Sequence, residues 1–245
     1  MIHARVIKVK NPEEMGKVAA DLFETLIQTK PACVLGLATG SSPLPLYREL
    51  VERCKAGKID FSRVRSANLD EYKGLSGDHP QSYRYFMQEN LFNHVNIKPE
   101  NTIVPNGQTE DVEAMCQAYE KQIEEWGGVD LQLLGIGHDG HIGFNEPGEA
   151  FELGTHCVDL KPETIEANKR FFEGNEDLVP KQAYTMGIKT IMQARKVLMV
   201  ANGKDKAEIV KKAFFGPVTP EVPASILQMH PDFILVGDEE ALSLI

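Results

Sequence analysis

The chain has 245 residues, 42% of them hydrophobic and 25% charged, and its formal charge is −10. That length suits one large domain, or at most two small ones, with an ample core. The acidic balance argues against nucleic acid as a main partner, because binding a phosphate backbone needs a basic face, and no apolar run approaches the roughly 20 residues that cross a bilayer.

The segment Met1–Lys10 alternates charged and apolar residues and lacks the apolar centre of a signal peptide, so a first strand over Val6–Val9 and a cytoplasmic location are expected. Asn11-Pro12-Glu13-Glu14 supplies a helix cap, a proline at the first helical position and two early acids. Met15, Val18, Ala19, Leu22, Phe23, Leu26 and Ile27 follow at helical spacing. Cys33–Ala38 is a continuous apolar run, as expected of a strand covered on both faces. A strand over 64–69, a helix over 79–92 and a helix whose apolar face runs from Val112 to Trp126 come next. A central strand over 130–136, a strand over 196–201, a helix over 204–215 and a last strand over 233–236 complete the series. Short strands alternating with amphipathic helices, without a repeat or a long linker, predict one α/β domain. Its sheet is doubly wound, mainly parallel and Rossmann-like, with helices on both faces. The cysteines at 33, 54, 116 and 157 are far apart and form no CxxC pair, so they read as reduced thiols rather than metal ligands or disulfides.

In such sheets, ligands bind beyond the carboxyl ends of the strands. Thr39-Gly40-Ser41-Ser42, between a strand and a helix starting near Pro43, offers hydroxyls, backbone N–H groups and a helix amino end, all suited to a phosphate. A plain turn with a serine cap is the alternative, since the segment is no P-loop. Asp70 and Glu71 end the third strand and could supply a general base or simply solvate a loop. The segment Gly135–Pro147 concentrates glycines around His138, Asp139, His141 and Glu146; an Asp beside a His can fix its tautomer and raise its basicity. These four residues could also ligate a metal, but two histidines three apart in a glycine-rich loop make a poor ligand set, and no metal is expected. Arg170 and Lys206 lie in polar loops and are candidates to clamp a phosphate.

The sequence resembles the glucosamine-6-phosphate deaminases over essentially its whole length. The likeness rests on Leu-Ala-Thr-Gly-Ser-Ser-Pro at 37–43, Asn-Leu-Asp-Glu-Tyr at 68–72 and His-Pro-Gln-Ser-Tyr at 79–83. Asp-Gly-His-Ile-Gly-Phe-Asn-Glu-Pro at 139–147 and Ala-Asn-Lys-Arg-Phe-Phe at 167–172 complete it. The resemblance implies that an amino-sugar phosphate becomes a keto-sugar phosphate plus ammonia by acid–base catalysis, without a cofactor. It also implies roles. His141 opens the sugar ring, Asp139 and Glu146 orient it and tune its basicity, and Asp70 moves a proton between C2 and C1. Thr39, Gly40, Ser41, Ser42, Arg170 and Lys206 hold the phosphate, Tyr83 packs near the sugar, and residues 160–180 form a mobile lid that carries Arg170.

Two departures stand out. Many family members have Gly-Gly-Thr where this chain has Gly40-Ser41-Ser42. Hexameric members answer to N-acetylglucosamine 6-phosphate through basic residues soon after the Asn-Glu-Pro motif and a longer tail, whereas 148–156 here holds no Arg or Lys. A short, monomeric, non-allosteric form is expected. The competing readings are a 6-phosphogluconolactonase on the same fold and a sugar-phosphate sensor. The first is disfavoured by Asp70-Glu71-Tyr72 and Asn145-Glu146-Pro147. The second is disfavoured by the want of a helix-turn-helix and by the full acid–base set.

Overall fold

The computed structural model describes residues 5–245, with the side chains of Ala167 and Phe171 left aside. The part of the N-terminal reading that covers Met1–Ala4 lies outside the described residues. In chain order the elements begin with β1 (Arg5–Val9), α1 (Pro12–Thr29), β2 (Val34–Leu37), α2 (Leu44–Lys55), β3 (Arg65–Asn68), β4 (Asp70–Tyr72), α3 (Tyr83–Asn90), β5 (Thr102–Ile103) and α4 (Val112–Glu125). They continue with β6 (Leu131–Leu134), β7 (His156–Asp159), α5 (Pro162–Asn168), β8 (Gln182–Thr185), α6 (Ile188–Met192), β9 (Lys196–Ala201), α7 (Ala207–Phe215) and β10 (Phe233–Asp238).

Seven strands form one sheet in the order β1-β10-β9-β6-β2-β3-β5, every pair parallel. From β2 the chain builds outward through β3 to β5, then returns to β6 on the other side and builds toward β10. The direction therefore switches between β2 and β6, and the crevice at their carboxyl ends is where such folds take ligands. Strands β2, β6 and β10 are buried along their whole length because helices cover both faces.

Local chemistry explains the main elements. Asn11 Oδ1 accepts from Glu14 N at 2.9 Å and starts α1. Met15, Ala19, Ala20, Phe23 and Ile27 then line the buried stripe of α1. At the amino ends of the central strands Asp130, almost fully buried, accepts from Val34 N at 2.8 Å, and Lys30 Nζ lies 2.8 Å and Arg195 Nη1 3.1 Å away. This carboxylate fastens the edge of the sheet opposite the crevice.

A second sheet was not foreseen from the sequence. Strands β4, β8 and β7 pair antiparallel in that order. Beneath 160–180 it carries a small apolar cluster of its own, with Tyr72, Phe144, Leu160, Ile165, Phe172, Val179 and Ala183. The helix expected over 79–92 begins only at Tyr83, because His79-Pro80 belongs to a turn and Ser82 Oγ caps the helix by accepting from Tyr85 N at 3.0 Å. The segment expected as a helix from 204 opens with a single 3-10 turn before α7.

Candidate active site

Asp70 and Glu71 are neighbours in β4, so their side chains leave on opposite faces. Their fates diverge accordingly. Glu71 accepts from Tyr72 N at 2.8 Å, Tyr83 N at 2.9 Å and Arg84 N at 3.0 Å, which fastens the amino end of α3 to the strand. Burial pushes its carboxyl up while these bonds pull it down. Asp70 is 6% exposed, and its Oδ1 has no hydrogen-bond partner. Burial, with the charge of Glu71 second, pushes its carboxyl up to about 8.

The loop after β6 folds back over Asp70. Gly143 has φ +60, and a Cβ there would come within 2.7 Å of Thr185 Oγ1 and 3.7 Å of Asp70 Oδ2. Only glycine lets the backbone pass so close in that conformation. Thr185, directly opposite Asp70 in the β4–β8 ladder, accepts from Phe144 N at 3.0 Å. Asn145 Nδ2 donates to Ile142 O at 2.9 Å and Met186 O at 2.8 Å. Strand β8 thus braces both the strand that bears the base candidate and the loop above it.

Within that loop His141 Nδ1 lies 2.7 Å from Asp139 Oδ1. Asp139 Oδ1 also accepts from His141 N at 3.1 Å. Burial opposes ionisation of Asp139, but the bonds and charge from His141 outweigh it and hold the carboxyl down at about 2. Glu146 faces elsewhere: Thr164 Oγ1 in α5 donates to it, and Lys161 N lies at 3.3 Å. It links the loop to the 160–180 segment, whereas Asp139 is the carboxylate on His141.

The cations converge on the same end of the sheet. Lys206, after β9, is held below the ordinary lysine value first by burial; Asp205 and Asp139 favour its charge and Arg170 opposes it. Arg170, in the turn after α5, is therefore within electrostatic reach of Lys206, and Lys206 is also within reach of Asp139. Thr39 and Ser42 are half-buried and Gly40 and Ser41 exposed at the carboxyl end of β2. There α2 begins without a side-chain cap. Tyr83 lies against Tyr72 (centroids 4.9 Å apart) and stacks on Phe144 at 5.9 Å, making an aromatic wall beside Asp70. Among the described residues no group of three or more His, Cys, Asp or Glu could hold a metal ion; His138 turns to Asp205 instead.

Residues 10–235 match the family described as glucosamine-6-phosphate isomerases/6-phosphogluconolactonase. The chain belongs to this family. The glucosamine-6-phosphate deaminase of Clostridium perfringens strain 13 is 56% identical over 241 residues, 98% of this chain and 99% of its own length. That of Thermoanaerobacter pseudethanolicus is 55% identical, covering 98% of this chain and 95% of its own. A solved structure described as a monomeric glucosamine-6-phosphate deaminase superposes with a TM-score of 0.95 at 43% identity, covering 98% of this chain and all of that one. The 6-phosphogluconolactonase of Trypanosoma cruzi reaches a TM-score of 0.77 at 21% identity, a likeness of fold alone.

Sequence reasoning missed Thr185, Asn145 and the capping role of Glu71. The motif around Asn145 was legible, but its bond to Met186 depends on a strand that the sequence did not reveal.

Proposed function

We propose that this chain is a glucosamine-6-phosphate deaminase, converting glucosamine 6-phosphate to fructose 6-phosphate and ammonia. The observation that carries the reading is Asp70, a buried carboxylate with an unpartnered oxygen at the sheet's carboxyl edge, pushed up to about 8. Such a group can hold and release a proton near neutral pH.

His141, with Asp139 beside it, takes the O1 hydroxyl proton of the cyclic sugar and returns one to the ring oxygen, opening the ring. Asp70 then removes the proton on C2 and delivers it to C1, while the amine nitrogen gives up a proton and O1 takes one, so the aldehyde ends as an alcohol and C2 as an imine. Water adds to C2 and ammonia leaves, giving the ketose. Lys206, Arg170 and the open amino end of α2 at Thr39–Ser42 bind the phosphate and offset the repulsion of an acidic protein. Tyr83 packs against the sugar. Residues 160–180 act as a lid, and Glu146, bonded to Thr164, signals its position to the loop. The chain acts as one domain and as a monomer, in the cytoplasm, without an N-acetylglucosamine 6-phosphate site. The 55–56% identity to deaminases favours this reading over a lactonase, whose likeness is confined to fold.

Ammonia release from glucosamine 6-phosphate, with a chelator present, tests the reading. Turnover by the wild type that is lost in Asp70→Asn supports it; no ammonia from folded wild type refutes it.

A further inference from the structure

The chemistry above uses one of the two histidines in the β6 loop. The other, His138, places Nε2 2.6 Å from Asp205 Oδ2, joining the loop after β6 to the loop after β9. Both partners adjoin the proposed site: His138 precedes Asp139, and Asp205 precedes Lys206. The turn bearing Asp205 is held in place. Gly203 N donates to both oxygens of Asp238 at the end of β10, at 3.1 and 3.0 Å. Gly203 has φ +89, and a Cβ there would lie 2.7 Å from Asp205 Oδ1, so glycine leaves the space that this carboxylate occupies.

The pair is 70% and 59% exposed at its side chains, and exposed pairs of this kind contribute little to stability. Its location suggests another use. Asp205 lies next in sequence to Lys206 and feels its charge. Released from His138, the carboxylate is free to turn onto the Lys206 ammonium and compete with an incoming phosphate. We propose that His138 is a positioning residue that holds Asp205 away from Lys206 and keeps that ammonium available to the substrate's phosphate. This inference rests on the phosphate-binding role given to Lys206 above.

His138→Ala should raise KM for glucosamine 6-phosphate about 5- to 20-fold, with kcat within about twofold of wild type. His138→Gln, which keeps a donor, should recover most of the loss. In His138→Ala/Asp205→Asn the competing charge is gone, so KM should return to within about threefold of wild type; a merely structural pair would leave the double variant as weak as the single one or weaker. Thermal melts confirm that each variant is folded. Titration calorimetry with inorganic phosphate reads the same ranking without turnover, so a wild type that binds phosphate but releases no ammonia refutes the deaminase reading alone. Unchanged KM and phosphate affinity in His138→Ala, no recovery in the double variant, or no phosphate binding by wild type overturns the inference.

Discussion

Replacing Asp70 by Asn removes a charge while keeping nearly the same shape, and the two states of Asp70 set the expected result. A carboxyl pushed from 3.8 to about 8 on folding binds its proton more tightly in the folded protein. Its contribution to stability is therefore complete below the unfolded value and is lost as pH rises toward the folded one. At about 1.4 kcal/mol per pH unit, the loss reaches at most about 4 kcal/mol at pH 7 and about 2 kcal/mol at pH 5. Water entering the open crevice reduces these figures, and half of each is a reasonable expectation. Asp70→Asn should thus be more stable than wild type by about 2 kcal/mol at pH 7 and about 1 kcal/mol at pH 5, while ammonia release falls below detection. Urea unfolding at both pH values reads the first effect. A variant that is no more stable than wild type, or whose gain is the same at pH 5 and pH 7, would refute the argument that burial holds this carboxyl high.

Three other substitutions follow from the same geometry. Gly143→Ala forces a side chain into a positive φ against Thr185 Oγ1; a loss of about 1–3 kcal/mol in urea unfolding, with kcat down about 100-fold as His141 shifts, is expected. Glu71→Ala strands the N–H groups of Tyr72, Tyr83 and Arg84. Calorimetry should find a cost of about 2 kcal/mol, a fall in Tm of about 4–8 °C. Lys206→Ala removes a charge-assisted contact worth a 10- to 100-fold change in affinity, seen as a rise in KM with kcat much less affected.

Most of the parallel sheet was readable because its central strands are apolar runs between strong helices; β5, only Thr102–Ile103, was not foreseen. Val34–Leu37 and Lys196–Ala201 announce themselves by burial on both faces. The antiparallel sheet was not, because β4 is Asp-Glu-Tyr and β7 is His-Cys-Val-Asp, three and four residues of mostly polar chemistry. Their pairing is set by tertiary contact, against local propensity. The same blindness hid Thr185. It has no motif of its own and matters only because β8 brings it opposite Asp70. His141 and Asp139 were legible because loop chemistry two residues apart survives in the linear sequence. The division of labour between Asp70 and Glu71 was not, since it depends on which face of a strand meets α3.

The apolar cluster under 160–180 is separate from the main core, and this partition sets a hierarchy of local stability. Amides of α5 and the turns that follow it can exchange with solvent by openings that leave the seven-stranded sheet intact, whereas those of β2, β6 and β10 need the whole molecule to unfold. Because Thr164 donates to Glu146 and Lys161 Nζ to Pro147 O at 2.6 Å, each such opening also releases the far end of the loop that carries His141. Under the proposed mechanism, access to the crevice and proton transfer at His141 then depend on one cooperative unit, and faster hydrogen exchange in α5 than in β2 is the expected sign of it.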